Sequence, residues 1–474
     1  MPILHLTVHW LADAPGQPSY HGEEWPPSPA RLFRALLAGA CQPGGAGQRG
    51  VAALQRLESL EPPVILGPAP ERLAPVRTSV PNNDGDQVMD AHHRGRPAQA
   101  RRRESKLRTM RLRQPWSVPG PVEYRWHCPE PDPDPAAFDL LAEGLTLLGQ
   151  GADLATATAR WQEVEEPRWG YQWAPDSTFG AELMAVPRTG EVDRLEAAYQ
   201  QSRQRIRGGR VAGVAEPPAT RVAYRDPLAP PALRFQAFNL RLPDDSGPLA
   251  VPGGEAMRVA GMTRHAVHEA ARLSGLDEAT IAGLLGHGDP EQRLYIAPVP
   301  NVAHQWADGR VRRVLIAASP ALPQAVWDAV LLRLTAAELI DRDRRSEAKG
   351  LLTPVPRLSD DKLLWRFLEK STSWTAASPV VLPGFDTRRG KPRPAKAARR
   401  LLRYAGIPEE AVRRIHLNKA PSIPGVCSTG GVEVPHYLSS YPRLFPTLEF
   451  HQPVTGPLLL GAGAGAGLGL LTHG

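Results

Sequence analysis

Cysteine is scarce in this chain of 474 residues, and that scarcity excludes two kinds of stabilisation. The three cysteines, Cys41, Cys128 and Cys427, are odd in number and far apart in the sequence. A disulfide framework needs paired cysteines and a structural zinc site needs closely spaced ones, so we expect neither. This usage fits a reducing compartment, and we therefore expect a cytoplasmic protein.

Long hydrophobic runs are also absent. The nearest run lies between Gly456 and Leu471 and is rich in glycine. It is shorter than the roughly 18 to 20 apolar residues that a membrane span needs. The opening residues lack a basic start followed by an apolar stretch, so they do not resemble a signal peptide. We expect neither a membrane protein nor an exported one.

Lysine is rare among the basic residues, since seven lysines stand beside 49 arginines. The formal net charge is +7 and the sequence pI is about 9.5. Guanidinium groups bind phosphate through two hydrogen bonds and stack on bases, so an arginine-rich surface favours RNA as a partner. A GC-rich genome would also raise arginine, alanine, proline and glycine together, so composition alone leaves both explanations open.

The rest of the composition is that of a folded protein with many loops. Apolar residues make up 42% of the chain and charged residues 22%, beside 51 prolines and 43 glycines. A chain of this length exceeds what one hydrophobic core usually supports, so we expect two domains. The segment from residue 207 to 231 has the composition of a linker, which places the domain boundary near residue 230.

A strand followed by a helix is predicted at the start of both halves. Residues 3–11 alternate apolar with polar side chains as a half-buried strand does, and Ser28-Pro29 then begins a helix that ends near Ala40. Residues 233–242 show the same alternation, before a helix over 255–273. The sequence therefore predicts an α+β fold in which one unit occurs twice.

Basic residues concentrate in two segments. An insertion over 75–121 contains Arg94–Arg113, where nine basic residues accompany the single acid Glu104. Arg388–Lys419 has eleven basic residues and two acids. One such cluster is as often a solvated face as a nucleic-acid contact, but two favour nucleic acid. Three aromatic residues after the first cluster either stack on bases or fill the core: Trp116, Tyr124 and Trp126.

Three segments resemble one known family. They are EWPPSPARLFRALLAG from Glu24, GHGDPEQRLYIAPVPNVAHQWADGRVRRVLIAAS from Gly286, and GPLLLGAGAGAGLGLL from Gly456. Together they resemble the fused RAMP-superfamily subunit of type I-G (formerly I-U) CRISPR Cascade. The resemblance touches the start, the middle and the end of the sequence.

The resemblance implies two tandem ferredoxin-like RAMP domains with long loop insertions. Residues 1–230 would bind the five-prime handle of the guide RNA, and residues 231–474 would process the repeat and end in the glycine-rich loop. The implied partners are CRISPR guide RNA, its precursor repeat, and the backbone and large subunits of Cascade, with target DNA reached only through the complex. No cofactor, no metal and no membrane are implied.

The processing that the resemblance implies is cleavage of the precursor repeat by a metal-independent endoribonuclease. This reaction needs only acid–base groups and cations. The 2′-hydroxyl attacks the adjacent phosphate and leaves a 2′,3′-cyclic phosphate and a 5′-hydroxyl. A histidine whose pKa lies near neutrality can take the proton of the 2′-hydroxyl or return one to the leaving oxygen. Arginine or lysine can stabilise the charge of the phosphorane. The candidate histidines are His287, His268, His265 and His304, each of which also has an ordinary structural reading. The order HxxHE of His265 and His268 does not match a zinc motif.

Candidate RNA contacts are arginines, lysines and glycines of the matching and basic segments. In the first domain they are Arg31, Arg34, Arg101, Arg102, Arg103, Lys106, Arg108, Arg111 and Arg113. In the second they are Arg264 and Lys419, which could stabilise charge, and Gly461, Gly463, Gly465, Gly467 and Gly469, which permit close approach of backbone amides to phosphate.

One departure keeps a second hypothesis open. Tyr295 stands on a predicted strand where the resemblance leads us to expect a histidine, and the glycine-rich loop lacks basic and aromatic residues. The alternative is therefore a catalytically inactive, structural RNA-binding subunit of Cascade. A basic metabolic enzyme with a glycine-rich tail is a third reading, which absence of affinity for repeat RNA would favour.

Overall fold

The computed structural model describes residues 1–11, 16–17, 19–22, 24–81, 84–104, 108–164, 166–167, 169–177, 181–204, 218–230, 232–286, 292–341, 347–358, 361–385, 387–388 and 391–473. The chain divides into two compact units, unit 1 (Met1–Ser177 with Ala181–Pro227) and unit 2 (from Leu228 onward). No described helix combines the length and the apolar composition needed to cross a lipid bilayer.

Unit 1 combines strands with helices. Its strands are β1 (Ile3–Trp10), β2 (Tyr20–His21), β3 (Val64–Gly67), β4 (Glu71–Arg72), β5 (Val76–Pro81), β6 (Arg108–Arg113), β7 (Pro115–Ser117), β8 (Val122–His127), β9 (Ala155–Gln162), β10 (Tyr171–Pro175), β11 (Glu182–Val186) and β12 (Thr220–Arg225). Its helices are α1 (Pro29–Ala40), α2 (Gly47–Leu57), α3 (Asp84–His93), α4 (Pro97–Glu104), α5 (Ala136–Glu143) and α6 (Glu191–Gln204).

The main sheet of unit 1 has the order β11-β12-β10-β3-β8-β1-β9. Within it, β1, β3, β8 and β9 take the 2-3-1-4 spatial order of a ferredoxin-like β-α-β-β-α-β unit. The alternation along β1 buries Leu4, Leu6 and Val8 in the core that α1, α2 and α5 cover. This confirms the predicted opening of strand, loop and helix.

The basic insertion forms a separate two-stranded sheet. β5 and β6 pair antiparallel from Val76↔Arg113 to Pro81↔Arg108, and α3 and α4 lie between them in the chain. The two helices share a small core of Val88, Ala91 and Ala100. We call this element, residues 76–113, the basic hairpin.

Unit 2 contains the remaining elements. Its strands are β13 (Arg234–Arg241), β14 (Leu294–Pro300), β15 (Val311–Ala318), β16 (Glu338–Ile340), β17 (Ala348–Pro354), β18 (Ser371–Ala376), β19 (Val380–Val381), β20 (Thr387–Arg388), β21 (Lys391–Pro392), β22 (Val412–Asn418), β23 (Arg443–Val454) and β24 (Leu471–Thr472). Its helices are α7 (Ala256–Leu273), α8 (Glu278–Leu284), α9 (Gln324–Leu334), α10 (Lys362–Leu368) and α11 (Pro394–Tyr404).

Two larger sheets organise unit 2. One has the order β14-β15-β13-β17-β16, and the other places β23 between β22 and β18, with β24 on the far side of β18. Each repeats the 2-3-1-4 order of the first unit. In the second of these sheets the glycine-rich segment connects β23 to β24 along the chain. A ferredoxin-like unit has its second helix at this connection.

The α+β fold class is confirmed, since antiparallel sheets and helices make up both units. The predicted strand and helix at the start of the second half are also confirmed, as β13 and α7. The sequence led us to expect the strand-helix unit twice, whereas the same strand order occurs three times among the described residues. The third instance escaped the sequence because its helix α11 is preceded by short strands and its last connection is not helical.

Candidate nucleic-acid interface

One face of α7 lines a cleft in unit 2. Met257, Ala260, Gly261 and Arg264 follow one another at intervals of three and four residues, so they lie on one side of the helix. Small residues at 260 and 261 leave room beside the helix, and the Arg264 side chain also lines that space. We call this space, of about 620 Å³, the glycine-loop cleft.

The glycine-rich segment supplies the opposite wall. Ala464–Ala466 forms a short 3-10 turn, and Gly465 and Ala466 line the cleft. Gly467 has φ +88°, and a Cβ built on it would lie 2.5 Å from the Ala260 Cβ. Only glycine permits this backbone conformation at such close contact with α7. The turn is thereby fixed against the helix.

Two guanidinium groups meet in the glycine-loop cleft. Arg264 donates a hydrogen bond from Nη1 to the Gly465 carbonyl at 3.2 Å, and Arg293, just before β14, lies beside Gly286 and Gly465. Among the described residues neither arginine pairs with a carboxylate, and the Arg293 Nε is buried without a hydrogen-bond partner. Tyr437, 68% exposed, also lines the cleft.

The electrostatics of the cleft favour an anion. Burial lowers the pKa of the Arg264 guanidinium below its ordinary value, and the charge of Arg293 adds to this effect while Tyr437 opposes it. Arginine remains protonated at neutral pH despite such a shift. Two partly desolvated cations that have no acidic partner in the described part of the chain would be stabilised by a bound phosphate, and an exposed tyrosine ring offers a surface for a base.

The three predicted histidines that the structure describes, His265, His268 and His304, do not line the glycine-loop cleft. His287 lies outside the described residues, but the preceding residue, Gly286, lines the glycine-loop cleft. His265 and His268 lie on α7 next to the cleft-lining residues without lining the cleft themselves. His268 Nδ1 lies 3.1 Å from Glu269 Oε1, and His265 Nδ1 is buried without a partner.

His304 lies in the loop beyond the opposite end of β14 from Arg293. Its Nε2 lies 2.6 Å from Asn301 Oδ1, and its Nδ1 accepts a hydrogen bond from the Trp306 amide at 3.1 Å. Both ring nitrogens are therefore engaged in holding the loop. Lys419 follows β22, is exposed and does not line the glycine-loop cleft.

The predicted glycines divide into two groups. Gly465 is half-exposed in the cleft, and the nearest described atom to a Cβ built on it is Arg293 Cδ at 3.8 Å. Gly461, Gly463, Gly467 and Gly469 are buried, and a Cβ on any of them would lie within 3.0 Å of a neighbouring atom. Close packing therefore explains why glycine stands at those four positions. Of the five predicted glycines, Gly465 alone is placed to approach a ligand.

The predicted arginines of unit 1 differ in their surroundings. Arg31 donates from Nε to Glu24 at 2.9 Å, and Arg34 lies 3.7 Å from Glu191. In the basic hairpin, Arg108 and Arg111 are exposed and Arg113 is half-buried. The remaining predicted contacts carry no described side chain: Arg101, Arg102 and Arg103 on α4, and Lys106, which lies outside the described residues.

An ionic cluster lies on β1, on β8 and in the loop that follows β9. His5, Glu123 and Glu166 offer ligand atoms within 4.8 Å of one another, which is compatible with a metal ion. Burial acts to raise the pKa of the Glu123 carboxyl, but hydrogen bonds from His5 and Arg125 outweigh it and lower that pKa to about 2. Arg125 and Arg160 already compensate the two carboxylates, so ion pairing accounts for the charges of the cluster.

Comparison with known proteins identifies the family of this chain. The model of the family described as "CRISPR-associated protein, GSU0054 family" matches residues 5–422. The chain belongs to this CRISPR-associated family. Among solved structures, it is similar to one described as "Crystal structure of a CRISPR protein from Archaeoglobus fulgidus", with 12% identity, a TM-score of 0.22, and coverage of 48% of this chain and 86% of that one. A TM-score of this size does not establish a shared fold. No curated protein matches.

Sequence reasoning missed two cleft residues of this CRISPR-associated protein. Arg293 lies within the segment that carried the resemblance, but nothing distinguishes it from the 48 other arginines in the sequence. Tyr437 lies far from every motif and enters the cleft through a 3-10 turn, His436–Leu438. Arg293 reaches the cleft because β14 lies against α7, and Tyr437 reaches it from the connection between β22 and β23.

Proposed function

We propose that this CRISPR-associated protein binds CRISPR RNA in the glycine-loop cleft and cleaves precursor repeat RNA there without a metal ion. The observation that carries the proposal is the meeting of Arg264 and Arg293, which pair with no carboxylate among the described residues, at a wall formed by Gly465. A phosphodiester would satisfy their open donors. Tyr437 at the rim would stack on an adjacent base.

His287 is the general base in this proposal, because it directly follows the cleft residue Gly286 in the chain. It takes the 2′-hydroxyl proton, the 2′-oxygen attacks phosphorus, and the bond to the 5′-oxygen breaks. The products are a 2′,3′-cyclic phosphate and a 5′-hydroxyl, with the proton for the leaving oxygen returned by the imidazolium or by water. Arg264 and Arg293 stabilise the charge that develops on the phosphorane.

The wider assignment follows the sequence resemblance. Unit 2 would be the processing RAMP domain and unit 1 the domain that holds the five-prime handle, in a fused subunit of a type I-G Cascade located in the cytoplasm. The backbone and large subunits of that complex would be its protein partners. The exposed arginines of the basic hairpin suit contacts with the RNA backbone.

A structural role without cleavage is the second candidate. Tyr295 is half-buried in β14, where the resemblance leads us to expect a histidine, and Ala464 and Ala466 flank Gly465 with no polar side chain. In that case the cleft holds RNA through Arg264 and Arg293 and performs no chemistry. The two candidates share binding and differ in cleavage.

The test is single-turnover cleavage of labelled repeat RNA in EDTA by the wild type and by His287→Ala and Arg264→Ala variants. We expect a cyclic-phosphate product, a loss of rate of about 100-fold or more in each variant, and no product from RNA with a 2′-deoxy substitution at the cut site. His304→Ala serves as the matched histidine control, and we expect it to cleave at the wild-type rate.

Each outcome separates the candidates. Tight binding without cleavage by the wild type would establish the structural role. Cleavage that survives in His287→Ala would move the general base to His268 or His265. Cleavage in EDTA that is indifferent to both Arg264→Ala and His287→Ala would place the chemistry outside the glycine-loop cleft.

A further inference from the structure

His21 and Asp153 form a hydrogen-bonded pair in unit 1. His21 Nδ1 lies 2.6 Å from Asp153 Oδ1, and the His21 backbone amide donates to Asp153 Oδ2 at 2.9 Å. The Gln150 amide donates to the same Oδ2 at 2.6 Å. The carboxylate thus holds the imidazole through both the ring and the main chain.

The surrounding backbone fixes this pair. Asp153 has a side-chain exposure of 1% and His21 of 16%. A Cβ built on Gly149, where φ is +130°, would lie 2.1 Å from Asp153 Oδ2, so only glycine admits the carboxylate here. His21 itself is held on β2 by pairing with Pro115 of β7. Neither partner can rotate away without breaking these contacts.

The partner of Nδ1 determines the tautomer. An ionised carboxylate only accepts hydrogen bonds, so the proton of the neutral ring lies on Nδ1 and the lone pair lies on Nε2. In the described part of the chain Nε2 has no hydrogen-bond partner, and it is not among the buried unsatisfied atoms. It is therefore available as a base to a group that enters from solvent.

The imidazole lines a cleft of about 600 Å³ in unit 1, which we call the β2 cleft. The charged groups that line it with His21 are Glu24, Arg31 and Arg113. Glu24 and Arg31 neutralise each other at 2.9 Å. Arg113 pairs with no carboxylate among the described residues, which leaves one unpaired cation in the cleft with the base.

The loop that holds the carboxylate also holds the cation. With its side-chain amide turned so that the oxygen faces Arg113, Gln150 accepts from Nη1 and Nε of that arginine at 3.3 Å each. Gln150 therefore links Arg113 to Asp153, to which its backbone amide donates. From Arg113, β6 continues to the exposed Arg111 and Arg108, which would hold an RNA strand entering the cleft.

We propose that the β2 cleft is a second acid–base site, which cleaves a phosphodiester of single-stranded RNA. The inference rests on the proposed function only in that the chain binds RNA. His21 Nε2 takes the 2′-hydroxyl proton, the 2′-oxygen bonds to phosphorus, and the bond from phosphorus to the 5′-oxygen breaks. Water or the imidazolium protonates the leaving 5′-oxygen, and Arg113 stabilises the phosphorane.

Asp153 acts through His21 and is a positioning residue. Its role is to keep the proton on Nδ1 and to stabilise the imidazolium that forms. An Asp153→Asn side chain offers Nδ1 a donor instead, which favours the tautomer whose Nε2 carries the proton. That tautomer cannot take a proton from the 2′-hydroxyl, so cleavage would fall while RNA affinity stayed unchanged.

The experiment removes the glycine-loop cleft as a source of product. A full-length His287→Ala/Arg264→Ala double variant is incubated in EDTA with labelled, unstructured RNA of mixed sequence. We expect residual cyclic-phosphate product. Adding His21→Ala to the double variant should lower the rate of this residual cleavage by about 100-fold or more. Free imidazole should restore part of the lost rate, which a purely structural role of His21 would not allow.

Three further variants sharpen this result in the same background. His21→Gln keeps a donor for Asp153 and should be as inactive as His21→Ala, and Asp153→Asn should lose rate without losing affinity. His9→Ala, an exposed histidine on β1 outside the β2 cleft, is the matched control and should cleave as its parent does.

The outcomes keep the two sites apart. If the wild type cleaves and the double variant gives no product, the glycine-loop cleft accounts for all cleavage and the β2 cleft is not a catalytic site. Product that persists in His21→Ala, or loss without rescue by imidazole in a variant that binds RNA normally, would also overturn the proposal. Product that disappears only with His21 would support the β2 cleft and contradict cleavage in the glycine-loop cleft.

Discussion

Five glycines of one segment perform different tasks although the sequence presents them as one alternating pattern. Gly467 allows α7 to approach the backbone, whereas Gly465 stands open in the glycine-loop cleft. The sequence predicted a glycine-rich loop that meets RNA. It could not distinguish packing from binding, because the backbone φ and the neighbouring atoms decide the role of each glycine.

A pair of alanine substitutions tests this division. Gly467→Ala should destabilise unit 2 by about 2–4 kcal/mol, since it combines left-handed strain with a clash against Ala260. Gly465→Ala should change stability by less than about 1 kcal/mol. Denaturant unfolding measures both. Equal stability of the two variants would show that the segment does not pack on α7 as described.

The sequence also could not predict which side chains meet in the candidate site. The sequence named Arg264 as a residue that could stabilise charge, and the structure places it in the cleft. Arg293 and Tyr437 were not predicted, because no spacing links residues 264, 293 and 437. His21 and Asp153 were missed for the same reason, since 132 residues separate them.

The basic hairpin is the element whose charge the sequence predicted most directly. Nine basic residues over Arg94–Arg113 indicated a cationic arm, and the structure places Arg108 and Arg111 exposed on β6. The pairing of β6 with β5 could not be predicted, because two helices separate the strands in the chain. The aromatic residues Tyr124 and Trp126 of β8 are buried, so they are core residues and do not stack on RNA.

Charge removal from β6 tests its contact with RNA. Replacing Arg108 and Arg111 by glutamine should weaken RNA binding and reduce the slope of log affinity against log salt by roughly 1.4 to 1.8, because each phosphate contact contributes about 0.7–0.9. Fluorescence polarisation over a range of salt concentrations gives the slope. Arg188→Gln with Arg221→Gln, both exposed in unit 1 outside the hairpin, is the matched control and should leave it unchanged.

At the scale of the whole molecule, each unit has its own hydrophobic core. The cluster around Leu4 and Phe33 lies in unit 1, and clusters around Val259, Trp374 and Phe367 lie in unit 2. A unit with its own cores should fold without the other. Cores of this kind follow from apolar periodicity, which the sequence displays, and from strand pairing over long separations, which it does not.

Residues 228–474 expressed alone should therefore unfold in one cooperative transition and retain affinity for repeat RNA through the glycine-loop cleft. Circular dichroism during thermal unfolding, with polarisation of labelled RNA, provides the measurement. The matched control is the Arg264→Ala variant of the same fragment, which should fold equally well and bind more weakly. A fragment without a cooperative transition would show that unit 2 depends on unit 1.

The sequence by itself determined the α+β class, the strand and helix that open each half, the arginine-rich charge and the segments typical of a CRISPR-associated family. These properties depend on local periodicity and on residue type, which neighbouring positions reveal. Tertiary structure alone decided which side chains meet. Arg264 reaches Arg293 and Gly465, and His21 reaches Asp153, because strand pairing and the packing of helices and turns bring distant segments together. No short stretch of sequence determines that arrangement.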